Sequence, residues 1–153
     1  MDHTHCMGLA IAEARLALAE GEVPVGAVAV HEGGVIARGH NRRETWRDPT
    51  AHAELLVLRE CAARLGRWRL TGVTLYVTLE PCPMCAGAMW AARLDEVVFG
   101  ASDPKTGAAG SLYTIPTDPR LNHQVRVIGG VLADECGSLL REFFASRRNR
   151  PGD

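Results

Sequence analysis

The chain has 153 residues, with a hydrophobic share of 46%, a charged share of 23% and a formal net charge of −1 at neutral pH. These values are typical of a globular domain large enough to bury a full core, so we expect residues 1–153 to form a single domain. No apolar run approaches the roughly 20 residues that a membrane span requires, and the N-terminus shows no signal-peptide pattern. The five cysteines, an odd number, favour a reducing cytoplasmic location over a disulfide scaffold.

Apolar residues recur at helical spacing from Cys6 to Ala19, which predicts an amphipathic helix that ends near Gly21. The chain begins with His3, His5 and Cys6, which superficially resemble a metal cluster. At a chain terminus we expect these residues to form a mobile tail.

A β-hairpin is predicted next, with strands over 23–30 and 35–40 and a turn at 32–34. Pro24 and Gly26 are unusual inside a strand. Pro24 suggests the start of the strand. Gly26 indicates close packing on the backbone, either at a bulge or at the wall of a ligand pocket, and the sequence leaves both open.

A polar loop that begins at Asn41 leads to a helix predicted over 51–65, with Thr50 as its N-cap. The first turn of this helix carries His52 and Glu54. Taken alone, these two residues would be a turn histidine and an acid favoured by the helix dipole. The apolar stripe of the helix consists of Leu55, Leu58, Cys61, Ala62 and Leu65.

A strand predicted over 73–79 and a helix predicted over 86–93 flank the segment Pro81-Cys82-Pro83-Met84-Cys85. Cysteines three residues apart across a first helical turn lie on one face, so both sulfur atoms can reach one metal ion. This spacing alone fits a redox pair, half of a structural zinc site or a catalytic zinc site. His52 and Glu54 favour the catalytic site, because three protein ligands leave one zinc position open for water and the carboxylate can handle protons.

The C-terminal part predicts a strand over 96–101, a small-residue loop over 102–111, a strand over 125–128 and a helix over 134–148. The order of elements predicts an α/β fold in which helices cover both faces of a mixed sheet. The basic end from about residue 147 is expected to be exposed and mobile. Arginine clusters are interpreted as solvated surface: Arg42, Arg43 and Arg47; Arg64, Arg67 and Arg69; Arg147, Arg148 and Arg150.

The combination of a zinc site and an adjacent carboxylate predicts hydrolytic deamination. Glu54 stands two residues from a ligand, so one carboxylate can deliver protons to a ring nitrogen and then to the departing amine. The pattern H-x-E followed by P-C-x-x-C is the signature of zinc nucleobase deaminases.

Residues from about 9 to 148 resemble the bacterial tRNA-specific adenosine deaminases. The matching runs are 22–28, 41–42, 48–54, 74–88, 97–101, 105–111, 121–123 and 132–136. The zinc motifs indicate only the wider deaminase superfamily. The Lys-Thr-Gly-Ala-Ala-Gly-Ser loop at 105–111 and the Asn-His pair at 122–123 resemble the tRNA enzymes in particular.

This resemblance implies a cytidine-deaminase-like three-layer α/β/α sandwich that converts adenosine to inosine at the first anticodon position, chiefly in an arginine tRNA. It implies one Zn²⁺ per subunit on His52, Cys82 and Cys85, with Glu54 as the proton shuttle. The resemblance implies that Asn41 hydrogen-bonds the flipped base and that Val25, Ala53 and Pro81 line the base pocket. Asp103, Lys105 and His123 would lie near the anticodon sugar-phosphate. Phe144 and the terminal arginines would contact the flanking nucleotides. It also implies a homodimer that binds the tRNA anticodon stem-loop near the subunit interface.

Two alternatives follow from the same motifs. A free-base or nucleoside deaminase, acting for example on guanine or cytosine, would share the zinc site but lack a basic rim for tRNA. A non-catalytic, zinc-stabilised RNA-binding subunit would share the ligands, but it would have no need for Glu54 beside them.

Overall fold

The computed structural model describes residues 2–148, and for Arg148 only the backbone. The helices are α1 (His3–Ala19), α2 (Arg43–Trp46), α3 (Ala53–Leu65), α4 (Pro83–Ala91) and α5 (Ala133–Arg148). The strands are β1 (Gly26–His31), β2 (Gly34–His40), β3 (Val73–Leu79), β4 (Glu96–Ala101) and β5 (Arg126–Ile128). None of the helices in this part of the chain is long and apolar enough to cross a membrane.

The strands form one five-stranded sheet in the order β2-β1-β3-β4-β5. β1 pairs antiparallel with β2 and β3, whereas β3 and β4, and then β4 and β5, run parallel. Helices α1 and α5 pack on one face, and α3 lies on the other with α4 packed beside it. Each face has its own apolar cluster: Val57, Leu75 and Met89 lie on the α3 side, and Met7, Tyr76 and Leu139 on the α1 side. The predicted α/β/α sandwich with a mixed sheet is confirmed.

The N-terminal prediction of a mobile tail is wrong. Helix α1 already begins at His3, because the Asp2 side chain caps it by accepting a 2.7 Å hydrogen bond from the His5 backbone N–H. Cys6 is fully buried in the core on this face, and His3 Nδ1 lies 2.8 Å from the Tyr76 hydroxyl. His3 and Cys6 therefore pack toward the sheet, while Thr4 and His5 are exposed on the helix.

Gly26 does pack closely against another backbone, but neither predicted cause applies. A Cβ atom at Gly26 would overlap the Ala10 carbonyl oxygen and the Ala14 backbone nitrogen, both in α1. The irregular register of the hairpin lies elsewhere, between Ala29 and Val30. The glycine is needed because α1 crosses the sheet in direct contact with β1.

The loop between β2 and α3 is more structured than predicted. It contains the single turn of α2, and α3 begins at Ala53, two residues later than expected. Thr50 is not the N-cap, because its hydroxyl donates instead to Asp48 Oδ1 at 2.7 Å. His52 occupies the N-cap position in an extended conformation, with φ −77° and ψ 147°.

Candidate metal and substrate site

Three predicted ligands converge where α3 and α4 begin. His52 is the N-cap residue of α3, Cys82 is the N-cap residue of α4, and Cys85 lies in the first turn of α4. Pro83 follows Cys82 as the first helical residue, a position where its missing N–H costs no intrahelical bond. Two helix N-termini thus direct one nitrogen and two sulfur atoms toward a single point.

The ligand atoms have the spacing of a tetrahedral metal site. His52 Nδ1 lies 3.6 Å from Cys82 Sγ and 3.4 Å from Cys85 Sγ. Bonds of about 2.3 Å to sulfur and about 2.05 Å to nitrogen at the tetrahedral angle would place such atoms about 3.5 Å apart. All three ligand atoms lie within 4.8 Å of one another. The cluster can therefore hold a metal ion, and its one-nitrogen, two-sulfur donor set suits zinc.

The pKa values of the two thiols are shifted in opposite directions. The hydrogen bond with Cys85 is the largest cause that lowers the pKa of Cys82, to about 4, and the hydrogen bond with His52 acts the same way against the opposing effect of burial. The same hydrogen bond, together with burial, raises the pKa of Cys85. Cys82 is therefore the thiol that ionises more readily, and zinc binding also requires Cys85 to lose its proton.

Glu54 lies in the first turn of α3 with only 4% of its surface exposed. Burial of the carboxyl group raises its pKa to about 7, although a backbone hydrogen bond and the neighbouring His52 act in the opposite direction. The three-residue metal cluster does not include Glu54. Its carboxyl group is placed beside the ligands and is available for proton transfer.

A cavity of about 1180 Å³ opens over the cluster. His52, Glu54 and Cys82 line its inner part. Its outer part extends to Leu140 and Phe144 on α5. The cavity therefore runs from the candidate metal site to the exposed surface of the last helix, where the Phe144 side chain is 46% exposed.

Most residues predicted to contact substrate do line this cavity: Val25, Asn41, Ala53, Asp103, Lys105 and Phe144. Asn41 is only 6% exposed, and its amide is oriented by two neighbours. Its Nδ2 donates to the Val23 carbonyl oxygen at 3.4 Å, and its Oδ1 accepts from the Arg43 backbone N–H at 3.3 Å. The structure thus brings Asn41, Val25 and Ala53, three of the four residues expected around the base, to the cavity that His52 and Cys82 also line.

Pro81 and His123 are not among the cavity-lining residues. The Pro81 carbonyl oxygen accepts a 2.8 Å hydrogen bond from the Ala108 backbone N–H. His123 Nε2 donates to the Leu94 carbonyl oxygen at 2.8 Å. A contact between His123 and RNA stays a prediction, and it would have to form outside the cavity.

Four residues of this region were not singled out as site residues from the sequence. Arg43 and Arg141 line the cavity and add positive charge to its mouth. Glu22 and Glu80 are buried acids whose carboxylates accept hydrogen bonds from loop backbone groups. For Glu22 and Glu80 the sequence offers only a weak indication of this role: each acid stands immediately before or after a predicted apolar strand.

The chain is similar in sequence and in structure to known deaminases. A family model described as MafB19-like deaminase matches residues 1–148. The tRNA-specific adenosine deaminase of Bacillus subtilis (strain 168) is 55% identical over 141 residues, which cover 92% of this chain and 88% of the relative. A solved structure from studies of A-to-I editing by tRNA:A34 deaminases is 47% identical, covers 90% of this chain and 99% of its own, and superimposes with a TM-score of 0.86. A guanine deaminase from Nitrosomonas europaea is 26% identical, with a TM-score of 0.81 and coverage of 93% and 84%.

Proposed function

Because the chain belongs to the family of tRNA-specific adenosine deaminases, we propose that it hydrolyses adenosine to inosine at the first anticodon position of tRNA, chiefly of an arginine tRNA. The enzyme acts in the cytoplasm as a homodimer of one-domain subunits. His52, Cys82 and Cys85 hold one Zn²⁺ per subunit.

The observation that carries this proposal is the position of a buried carboxylate beside a metal-ligand cluster at the inner end of a large cavity. A structural zinc site uses four protein ligands and excludes solvent, whereas a catalytic site uses three and keeps one position accessible. Here three ligand atoms converge, and two of their residues, His52 and Cys82, line the cavity. This arrangement supports catalysis over a purely structural role.

When bound, zinc would supply the Lewis acidity that makes a water molecule available as hydroxide near neutral pH. Glu54 accepts protons released by the attacking water. It delivers one proton to the ring nitrogen next to the reacting carbon and one to the departing amine. The balanced reaction is adenosine plus water to inosine plus ammonia, so a single carboxylate completes the proton transfers without an external acid.

Asn41 is the residue best placed to orient the flipped base. Its side-chain amide carries both a donor and an acceptor, and it stands on the cavity wall with Val25 and Ala53. Val25 and Ala53 supply apolar surface against the ring. Base-flipping enzymes use this combination of polar edge contacts and apolar packing around an extruded nucleotide.

The charge at the mouth of the cavity favours RNA over a free base. Four cationic residues, Arg43, Lys105, Arg141 and Arg147, are among the lining residues. Of the three lining acids, Glu54 and Glu80 are buried, at 4% and 2% exposure, which leaves Asp103. A neutral purine base needs no such cationic rim, whereas anticodon phosphates do. The guanine deaminase alternative therefore explains the inner site but not the rim.

The decisive experiment measures deamination by the purified, zinc-loaded protein on an arginine-tRNA anticodon stem-loop with adenosine at the first anticodon position. Other stem-loops with adenosine at that position run in parallel, as do free adenosine, cytosine and guanine. We expect inosine in the arginine stem-loop above all others. Equal rates on every stem-loop would remove only the preference for arginine tRNA. Ammonia from a free base alone would identify a small-molecule deaminase, and silence on all substrates would favour the binding-subunit alternative.

A further inference from the structure

Glu80 is a buried carboxylate that binds a single loop through both of its oxygen atoms. It lies between the end of β3 and Cys82 and is only 2% exposed. Oε1 accepts hydrogen bonds from the Asp103 backbone N–H at 2.9 Å and from the Ser111 hydroxyl at 2.5 Å. Oε2 accepts from the backbone N–H groups of Ala109 and Ser111, each at 3.0 Å. All four donors belong to residues 103–111.

These four bonds use the full hydrogen-bonding capacity of the carboxylate. An ionised carboxylate has about four acceptor positions, two on each oxygen, and here each oxygen accepts two bonds. Within residues 2–148, no ion pair joins Glu80 to a cationic side chain. Loop donors therefore balance the buried charge, and no acceptor position remains for moving protons in the reaction.

Two further features hold the same loop close to the metal-binding segment. The Ala108 backbone N–H donates to the Pro81 carbonyl oxygen at 2.8 Å, one residue before Cys82. At Gly107 a Cβ atom would overlap the Glu80 carboxyl group. The absence of a side chain at Gly107 therefore permits the close approach of the loop to the carboxylate.

We propose that Glu80 is a positioning residue that holds loop 103–111 against the metal-binding segment, so that Asp103 and Lys105 line the substrate cavity. Both of these residues lie on the anchored loop and on the cavity wall. Three of the four donors to Glu80 are backbone N–H groups, which can only donate, so the geometry fits a carboxylate that acts as an acceptor at both oxygens. In the test of this role, the kinetic measurement rests on the proposed function, whereas the hydrogen-exchange and zinc measurements do not.

The test compares wild type with Glu80→Gln, which keeps the size of the side chain but replaces one acceptor oxygen with an amide donor that faces N–H groups. Hydrogen exchange of loop amides, zinc content and kinetics on the anticodon stem-loop are measured together. We expect exchange at Ala109 and Ser111 to quicken at least about tenfold, which corresponds to the loss of one or more bonds to a charged acceptor. The KM for the stem-loop should rise by a similar factor with a smaller change in kcat, while zinc content stays that of wild type.

The matched control is Asp118→Asn. Asp118 also accepts a backbone hydrogen bond, from Arg120 at 2.9 Å, but it lies outside the residues that line the cavity. The same carboxyl-to-amide change there should leave exchange in the 103–111 loop and the KM unchanged. If Glu80→Gln does not fold, Ser111→Ala removes one of the four donors and should show the same effects on a smaller scale.

Two outcomes would overturn the assignment. Loop exchange and KM that match wild type would mean that Glu80 does not position the loop. Loss of zinc from Glu80→Gln would mean that it supports the metal ligands instead. Wild-type protein that is inactive on RNA would refute the proposed function, but the exchange measurement would still decide whether Glu80 anchors the loop.

Discussion

Replacing Glu54 with glutamine tests the central chemical role in the proposed mechanism. The substitution keeps the size of a side chain that is only 4% exposed, so packing around the first turn of α3 should change little. Glutamine cannot accept or deliver a proton at neutral pH. Glu54 lies outside the metal cluster of His52, Cys82 and Cys85, so zinc should remain bound.

The expected loss is large because one side chain serves several proton transfers. A positioned general acid or base contributes about 10²–10⁴-fold to a rate. With delivery to the ring nitrogen and to the departing amine both affected, we expect kcat to fall by about 10⁴-fold or more, which corresponds to about 5 kcal/mol or more. The KM for the stem-loop should change much less, because the cationic rim and Asn41 are untouched.

The assay measures single-turnover formation of inosine in the anticodon stem-loop together with zinc stoichiometry. Glu60→Gln is the matched control: the same chemical change in the same helix, at an acid paired with Arg64 on the helix surface. It should keep wild-type kcat. Activity of Glu54→Gln within tenfold of wild type would refute the role of Glu54 as proton shuttle. An inactive variant that has also lost zinc would show that Glu54 supports the metal site.

Four further predictions concern the metal, the core, the RNA surface and acid stability. Cys82→Ser should lose zinc and melt at a lower temperature; a stable, zinc-loaded, active variant would contradict the ligand assignment. Gly26→Ala should destabilise the fold by about 1–3 kcal/mol in urea unfolding, because the added Cβ overlaps the α1 backbone at Ala10. Lys105→Gln should reduce the slope of log K for RNA against log salt by about 0.7–0.9, and an unchanged slope would place the RNA surface elsewhere. Burial raises the pKa of Glu22, but its hydrogen bonds to α2 outweigh this and hold it below 4.5. Its stabilisation is therefore present above that value and is lost as pH falls through the folded-state pKa. Glu22→Gln should thus cost about 2 kcal/mol or more at about pH 7, measured by urea unfolding, and progressively less as the pH is lowered below 4.5; a deficit that does not change with pH would argue against an ionised anchor.

The sequence predictions that the structure confirms rest on local patterns, each within a short stretch of the chain. The bounds of β3 (Val73–Leu79) and β4 (Glu96–Ala101) agree with the predicted strands, because buried strands in the middle of a sheet are short, largely apolar runs. The convergence of His52, Cys82 and Cys85 was also predicted, since both motifs stand at helix starts and supply ligand types that zinc prefers.

Predictions failed where a residue depends on a partner far along the chain. The first residues were expected to be mobile, but His3 reaches Tyr76, 73 residues away in sequence. The close neighbour of Gly26 could not be identified, because the position of α1 over β1 is set by the packing of the whole face. No periodicity or spacing encodes such contacts.

The sequence by itself predicted the order of the elements apart from α2, and it predicted the two motifs that supply the candidate metal ligands and Glu54, because each element and each motif depends on residues within a few positions of one another. Only the tertiary structure decided which residues surround the substrate cavity. It placed Arg141 on the cavity wall and His123 away from it, and it gave Glu80 its donors 23 to 31 residues further along the chain. The physical reason is that a buried carboxylate or a cavity wall is defined by groups that meet only when the sheet and its two helical layers have packed together.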